Sequence, residues 1–441
     1  MTDSASSSRV GHLTDVSDRS APPGTGTRSR AWAIALCWTA IVVDGYDLIV
    51  YGTVLPTLIA GEWALDAGTA GWIGSLALVG MLVGALLAGT VTDRIGRRRL
   101  MIICIAWFSV AMALCALAPS PEVFGLLRFV AGIGLGGVVP TAIALTVEYA
   151  PAGRRNAANA LMFSGYSVGG VVAALSGIVL LEQLGWRALF WIGAGVGAVL
   201  LVVVAVALPE SVAYLVGRGR RAEAAALAAR YGMPVPDDAP PGAGRAGLRA
   251  LLDRHHLRGT LLFWVGTGFG LLLVYGLNTW LAQIMRQAGY PLGGALAFLL
   301  ALNLGAIVGA PLLGALADRI GPRPVVTGMF LTAAASILLL MNRFPTPVLL
   351  GLIAVAGACT IGTTIIVNSY TATFYPEHLR AAGLGWSLGI GRIGAIAGPL
   401  YGGVVMATGA GFAANFLAFA IPAVLGAIVM VLVPRGAATH P

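Results

Sequence analysis

GTVTDRIGRR, at residues 89–98, recurs in modified form as GALADRIGPR at residues 314–323. Both stretches begin with glycine and carry Asp-Arg-Ile-Gly at the same offset, and both end in arginine. Each follows the second long apolar segment in a group of six, so the two copies occupy equivalent places. A chance match at both places is improbable. This internal repeat indicates a chain built from two similar halves.

The composition predicts a protein embedded in a membrane. Of the 441 residues, 58% are hydrophobic and only 10% are charged, whereas soluble domains carry about 25% charged residues. The net charge of +9 comes from 27 arginines and no lysine. Nucleic-acid binding would require basic residues interleaved with aromatic ones, and the sequence has no such patch. We therefore predict a polytopic membrane protein with a lipid bilayer, and no nucleic acid, around it.

Twelve mostly apolar segments of about 18 to 25 residues are each long enough to cross a hydrocarbon core of about 30 Å. A polar stretch separates the first six from the last six. The sequence therefore predicts an all-α integral membrane fold with twelve transmembrane helices in two six-helix halves. The predicted regions are a disordered tail at 1–30, an N-terminal half at 31–208, a central loop with one short helix at 209–258, a C-terminal half at 259–433 and a second tail at 434–441.

The arginines are divided unevenly between the two sides of this predicted membrane protein. The two tails, the central loop and the loops on the same side carry 22 of them, and the opposite loops carry three, at Arg187, Arg286 and Arg343. Arginine-rich loops stay in the cytoplasm during membrane insertion. Both termini and the central loop are therefore predicted to be cytoplasmic.

Two acidic residues, Asp44 and Asp47, stand in the middle of the first predicted helix in the sequence DGYD. A central aspartate opposes membrane insertion by about 2.5 to 3.5 kcal/mol, so it indicates a compensating partner or a working role. Residues three or four apart share a helix face, and Tyr51 extends this face by one turn. Both acids lie about 20 Å from the start of the helix, close to the midplane. We predict that Asp44, Asp47 and Tyr51 line one cavity.

Two arginines, Arg128 and Arg392, also fall inside predicted helices. At 1.5 Å per residue, Arg392 lies about 18 Å from the cytoplasmic end of its helix, and Arg128 lies about 9 to 12 Å from the opposite face. Both are predicted to face the cavity that contains the acids. Arg128 has a second interpretation, because Gly132 and Gly136 follow it at helical spacing. It can brace neighbouring helices through hydrogen bonds to carbonyl groups.

The repeated loop resembles the signature of the major facilitator superfamily of membrane carriers, and this resemblance covers nearly the whole chain. RFVAGIGLG at residues 128–136 and PES at residues 209–211 also fit that family. The resemblance implies a twelve-helix carrier with its binding site at the centre, between the two halves. Such carriers expose this site to one side of the membrane at a time.

Finer features resemble one branch of the superfamily, the aromatic acid:proton symporters. The features are DGYD at 44–47, EYAP at 148–151, YGLNTWL at 275–281 and GRIG at 391–394. The resemblance implies import of benzoate, hydroxybenzoates or related aromatic carboxylates through the inner membrane of a bacterium, driven by protons. We expect a carrier rather than an enzyme, a monomer, and neither cofactor nor metal.

The charges inside the helices lead to a hypothesis about coupling. Two acids and two arginines sum to zero, an aromatic carboxylate makes the sum −1, and one proton restores zero. A low dielectric disfavours any uncompensated charge, so proton and anion are expected to enter together. We assign Arg392 to the substrate carboxylate, because guanidinium offers a planar bidentate fork. Asp44 or Asp47 then takes the proton.

The remaining predicted binding residues are aromatic or amide side chains, because a flat apolar wall with a few polar groups suits an aromatic ligand. Asn278 and Asn303 are expected to donate hydrogen bonds. Tyr51 and Tyr275 are the preferred aromatic residues, and Trp280 and Trp386 complete the predicted set together with Arg128. The full group of aromatic candidates is Tyr46, Tyr51, Tyr166, Tyr275, Trp280, Tyr370 and Trp386.

Charged residues at and near the repeated loops are assigned to a cytoplasmic gate. Clusters of acids and arginines at helix junctions can lock one state of a carrier and release in another. The alternative is that these charges only set topology or are solvated. The predicted gate residues are Gly89, Asp93, Arg94, Arg97, Glu148, Asp318, Arg319 and Arg380.

Two other functions stay open at this point. The chain can be a symporter of another small organic anion, or a receptor that binds aromatic acids without transporting them. An integral membrane enzyme is disfavoured, because the sequence offers no nucleophile and base pair, metal cluster or phosphate loop.

Overall fold

The structure, a computed structural model, describes residues 26–151, 153–235, 247–342 and 344–434. Within these ranges, twelve helices are long and apolar enough to span a membrane. The first six are α1 (Gly26–Ala60), α2 (Ala67–Ile95), α3 (Arg97–Ala116), α4 (Pro121–Tyr149), α5 (Arg155–Leu184) and α6 (Trp186–Ala207). The last six are α10 (Leu257–Gln287), α11 (Leu292–Ile320), α12 (Pro322–Leu339), α13 (Thr346–Phe374), α14 (Glu377–Ala407) and α15 (Phe412–Leu432).

The predicted all-α fold with two groups of six helices is confirmed. Two local details differ from the prediction. Helix α1 begins at Gly26, so the end of the predicted tail is helical, and residues 1–25 lie outside the described residues. The central loop contains three short helices where the sequence predicts one, and these are α7 (Val212–Gly217), α8 (Arg221–Tyr231) and α9 (Gly247–Leu251). Of the second predicted tail, only Pro434 is described.

The two copies of the repeated loop form the same tight turn. Gly96 ends α2 with φ +95° and Gly321 ends α11 with φ +91°, a backbone region that residues with a side chain rarely adopt. The next helix starts at the following residue in both halves. Arg98 and Arg323, two residues after the glycines, each donate to a main-chain carbonyl at the end of the sixth helix of their own half. The repeat therefore fixes the same corner of each half.

Helices within each half cross closely at glycines. A Cβ atom added to Gly80 of α2 would lie 2.1 Å from the carbonyl oxygen of Phe129 in α4. A Cβ atom added to Gly305 of α11 would lie 1.9 Å from the carbonyl oxygen of Ala354 in α13. Small residues at a crossing let two membrane helices approach until their backbones touch. Each half is therefore tightly packed along equivalent helix pairs.

The two halves meet on the side of the molecule opposite to the central loop. This side is called the far side below, and the side that carries the central loop is called the loop side. The Ser75 hydroxyl of α2 donates to the Ile396 carbonyl oxygen of α14 at 2.7 Å. Gly71, nearer the far end of α2, packs on the backbone of Pro399 in the same helix α14. A Cβ atom on Gly52 of α1 would lie 2.0 Å from a carbonyl oxygen of α10.

The loop-side ends of these helices are not packed against the other half in this way. Among the described residues, no heavy atom of another helix lies within 4 Å of a Cβ atom added to Gly89 in α2 or to Gly314 in α11. The neighbouring acids Asp93 and Asp318 are exposed. The fold is therefore closed on the far side and open on the loop side.

The two ends of the central loop are anchored to different halves. Tyr231, the last residue of α8, packs its ring against Tyr149 of the N-terminal half at a centroid distance of 5.2 Å. Leu251, the last residue of α9, is fully buried beside Tyr375 at the end of α13. The loop therefore connects the halves through one docked segment on each.

Candidate functional site

The buried centre of the N-terminal half contains an ion pair. Nη1 of Arg128 in α4 lies 2.5 Å from Oδ1 of Asp47 in α1. Nη2 of the same arginine donates to the Asp47 carbonyl oxygen at 3.2 Å. The side chains are only 1% and 0% exposed. A buried charge needs such a partner because the interior solvates it poorly, so Asp47 and Arg128 form one neutral unit.

Aromatic rings hold Arg128 in place. Its guanidinium carbon lies 5.9 Å from the centroid of the Tyr51 ring and 6.0 Å from that of the Phe190 ring. The Tyr51 hydroxyl is itself occupied, because it donates to the Ala70 carbonyl oxygen at 2.6 Å. Tyr51 and Arg128 therefore lie beside the predicted acids, and both make contacts that stabilise the N-terminal half.

The second acid, Asp44, lies in a different environment. It is 3% exposed, and among the described residues no group forms a hydrogen bond with its Oδ1 atom. Arg392 of α14 is half-buried and lies within electrostatic range of Asp44. Tyr166 of α5 and Tyr275 of α10 also lie near this carboxyl group, and their rings meet edge to face at a centroid distance of 6.2 Å.

These four side chains, Asp44, Tyr166, Tyr275 and Arg392, are called the central quartet below. They come from four different helices, two in each half, so the quartet lies where the halves face each other. It contains one acid, one arginine and two aromatic rings, which is the set of groups that an aromatic carboxylate and a proton would use. The quartet is therefore the candidate site.

Asn278 and Asn303 form a buried amide pair in the C-terminal half. Nδ2 of Asn303 donates both to Oδ1 of Asn278 and to the Leu299 carbonyl oxygen, each at 3.0 Å. Nδ2 of Asn278 donates to the Val274 carbonyl oxygen at 2.8 Å. In this arrangement Asn303 has no hydrogen left to donate to a ligand, because an amide nitrogen has only two hydrogens. Its Oδ1 atom, by contrast, has no hydrogen-bond partner among the described residues.

The two predicted tryptophans each contact a neighbouring helix. Trp280 is fully buried, and its indole nitrogen donates to the Pro399 carbonyl oxygen at 2.8 Å. This contact joins α10 to α14. Trp386 is 40% exposed, and its ring lies 6.3 Å from that of Trp264. Both contacts support helix packing, and the binding role of the two tryptophans stays a prediction.

Two of the predicted gate residues come together on the loop side of the N-terminal half. Nη1 of Arg97 lies 2.5 Å from Oε2 of Glu148. The Ser211 hydroxyl donates to the same carboxylate oxygen at 2.6 Å. Glu210 accepts from the main-chain N–H groups of Arg97 and Arg98, both at 3.0 Å. This cluster joins the starts of α3 and α7 to the end of α4.

Sequence reasoning missed Glu210 and Ser211 as members of this cluster. The signal was present, because the same residues carry part of the family resemblance as PES at 209–211.

Tyr166 was one of seven aromatic candidates without being preferred. Tyr166 lies between Gly165 and the Gly169-Gly170 pair, and these glycines let α5 cross α1 closely. This glycine pattern is the signal that distinguishes Tyr166 from the other aromatic candidates.

The other predicted gate residues are dispersed in this state. The carbonyl oxygen of Arg94 accepts hydrogen bonds from Tyr214 and Arg218 of the central loop. The remaining members are exposed, and the two halves do not bring them into contact among the described residues. They are Gly89, Asp93, Asp318, Arg319 and Arg380.

Known proteins match the chain along most of its length. The sequence profile of the Major Facilitator Superfamily matches residues 37–311 and residues 296–441. The chain is 39% identical to the benzoate transport protein of Acinetobacter baylyi over 91% of this chain and 89% of that protein. It is 38% identical to the gentisate transporter of Corynebacterium glutamicum, over 92% and 88% of the two chains.

A solved structure is also similar to this chain, and this similarity supports the fold alone. The crystal structure of a D-xylose-proton symporter superposes with a TM-score of 0.73 at 16% identity, and the match covers 93% of this chain and 99% of that one. The repeated loop, the twelve helices in two halves and these relatives agree with one another. The chain belongs to the major facilitator superfamily, and it is a multi-pass membrane transporter rather than an enzyme.

Proposed function

We propose that this transporter carries an aromatic carboxylate together with a proton, by symport, into the cytoplasm. The observation that supports this most is the contrast between the two buried acids. Asp47 forms an ion pair with Arg128, whereas Asp44 forms no ion pair within 4 Å among the described residues and lies in electrostatic range of the half-buried Arg392.

The charges of the central quartet support coupling. With Asp47 and Arg128 neutralising each other, Asp44 and Arg392 also sum to zero. An entering carboxylate brings the sum to −1, and one proton on Asp44 restores it. Because an uncompensated charge is costly in a low dielectric, the loaded carrier is most stable with both species bound.

The quartet also suggests the role of each group. Arg392 stays charged and can bind both oxygens of a carboxylate in its planar fork. Asp44, rather than Asp47, is the proton carrier, because protonating Asp47 would leave Arg128 buried without a counter-ion. The edge-to-face rings of Tyr166 and Tyr275 form an apolar wall for the substrate ring,.

Orientation and substrate class complete the proposal. The arginine-rich loops support an orientation in which the loop side faces the cytoplasm, and the membrane we propose is the inner membrane of a bacterium. The arrangement described here, with the far side closed, is then the inward-facing state of an alternating-access cycle. The relatives named as benzoate and gentisate transporters support an aromatic acid as the substrate.

The test uses purified transporter in proteoliposomes, radiolabelled benzoate and an imposed pH gradient in which the outside is more acidic than the lumen. Wild type should accumulate label above equilibrium. Asp44→Asn should abolish this accumulation while counterflow of benzoate continues, because a neutral side chain imitates the protonated state. Asp253→Asn, at an exposed acid of the central loop outside the predicted gate, is the matched control and should behave as wild type.

Two outcomes would contradict the proposal. Accumulation by Asp44→Asn at the wild-type level would show that Asp44 is not the proton carrier. Binding of benzoate by wild type without any counterflow would show a receptor instead of a transporter.

A further inference from the structure

The proposed function leaves open which substituents the aromatic ring of the substrate carries. Asn303 bears on this point, because it is fully buried and lies close to the central quartet. Ala306, one turn further along α11, packs in the same apolar cluster as Tyr166 and Tyr275. Asn278, the amide partner of Asn303, lies one turn along α10 from Tyr275.

The orientation of the Asn303 amide is fixed by its neighbours. Both amide hydrogens are used, one by Asn278 and one by the Leu299 carbonyl. The Oδ1 atom is therefore held as an acceptor, and no donor among the described residues reaches it. A buried acceptor without a donor is unfavourable, so it marks a place where a ligand can supply the missing group.

The free oxygen lies at a contact between the two halves. A Cβ atom added to Gly170 of α5 would come within 2.5 Å of Asn303 Oδ1. Gly170 thus covers the oxygen while the far side is closed. Opening the far side separates α5 from α11, because these helices belong to different halves, and this movement uncovers the acceptor.

We propose that Asn303 Oδ1 accepts a hydrogen bond from a hydroxyl group on the substrate ring, and that the chain therefore prefers hydroxylated aromatic acids to unsubstituted benzoate. This inference rests on the proposed function, since it places an aromatic acid at the central quartet. This hydrogen bond forms when the far side is open. It breaks when the far side closes, because Gly170 then takes the place of the substrate hydroxyl group beside Asn303 Oδ1. Capture from the far side is thereby strengthened, and release to the loop side is favoured.

The chemistry gives this contact its selectivity. A site built to bond a substrate hydroxyl discriminates against a ligand that lacks it, because the buried acceptor then stays unpaired. A carboxylate or a bare ring cannot supply a hydrogen to Asn303, whereas a phenolic hydroxyl can.

The experiment measures competition at the far side in cells that express the full chain. External benzoate and its 2-, 3- and 4-hydroxy derivatives compete with uptake of radiolabelled benzoate. In wild type, at least one hydroxylated acid should inhibit about tenfold more strongly than benzoate itself. Asn303→Leu should remove that advantage, so that the four acids inhibit within about twofold of one another. Asn415→Leu, which alters a buried asparagine of α15 that bonds Gln287, is the matched control.

A second variant covers the case in which Asn303→Leu fails to assemble. Asn303→Gln keeps the amide and moves the acceptor by one methylene, so it should change which hydroxylated isomer inhibits best. Equal inhibition by all four acids in wild type, or an unchanged order in both variants, would overturn the role of Asn303 while the proposed function stands. Absence of uptake of benzoate and of all three hydroxy derivatives by wild type would overturn both.

Discussion

The two halves of this transporter share the same helix arrangement but differ in the polar contacts buried at their centres. Arg98 and Arg323 make the same corner contact, to the carbonyl oxygens of Ala205 and Val431. At the core, however, the N-terminal half has the Asp47–Arg128 ion pair, whereas the C-terminal half has a neutral amide pair, Asn278 and Asn303.

The loop side shows the same difference. The N-terminal half places Arg97 directly after its turn glycine and pairs it with Glu148, the residue before Tyr149. The C-terminal half has Pro322 at the first of these positions, and Phe374 precedes Tyr375. The comparison indicates that charge in the N-terminal half serves mainly to hold helices together. The half-buried Arg392 of the C-terminal half forms no ion pair within 4 Å among the described residues, and we propose that it binds the ligand.

The largest expected effect comes from breaking the central ion pair of the N-terminal half. Arg128→Met leaves Asp47 buried without a counter-ion and should lower the free energy of unfolding by about 3 to 5 kcal/mol. Thermal unfolding of the detergent-solubilised protein measures this loss. The double variant Arg128→Met with Asp47→Leu is the control, and it should recover most of the stability because apolar groups replace the pair.

An unfolding temperature for Arg128→Met equal to that of wild type would show that the ion pair does not hold this half together. The double variant sharpens the comparison further. Its fold should resemble wild type, and Asp44 and Arg392 remain in place, so binding of the substrate carboxylate should persist.

An intermediate effect is expected from Arg392 in the C-terminal half. Arg392→Lys keeps the charge but loses the bidentate fork, so the half-saturation concentration for uptake should rise about tenfold, equivalent to roughly 1.5 kcal/mol. The unfolding temperature should stay close to that of wild type, in contrast to Arg128→Met. Unchanged half-saturation would exclude bidentate binding of the substrate by Arg392.

The smallest effect is expected at the far-side surface, where Arg187 donates to both carboxylate oxygens of Glu62, at 2.7 and 3.1 Å. These hydrogen bonds hold the pKa of Glu62 below its usual range. The stabilisation is therefore present at neutral pH and is lost as the pH falls through the lowered pKa. Because the pair is exposed and screened by salt, Glu62→Gln should unfold at nearly the wild-type temperature at pH 7. A large loss there would show that surface and core ion pairs act alike.

The fold could be predicted from the sequence because its determinants are local. Membrane-length apolar segments mark the helices, and the repeated GTVTDRIGRR loop marks the equivalence of the halves. Glycine at positions 96 and 321 is required by the backbone itself. The three short helices of the central loop were harder to predict, since tertiary contacts such as that of Leu251 stabilise them.

The candidate site could be predicted only in part. Charged residues inside apolar segments are conspicuous, so Asp44, Asp47, Arg128 and Arg392 were all selected. Which acid pairs with which arginine depends on how four helices rotate about their axes, and the sequence does not contain that information. The direction of the Asn303 amide depends in the same way on Asn278 and on a carbonyl group of its own helix.

The split docking of the central loop has a mechanical consequence. Tyr231 packs against the N-terminal half and Leu251 against the C-terminal half. The two residues are joined by the chain itself, so a covalent connection links the two halves on the loop side in addition to their packing contacts on the far side.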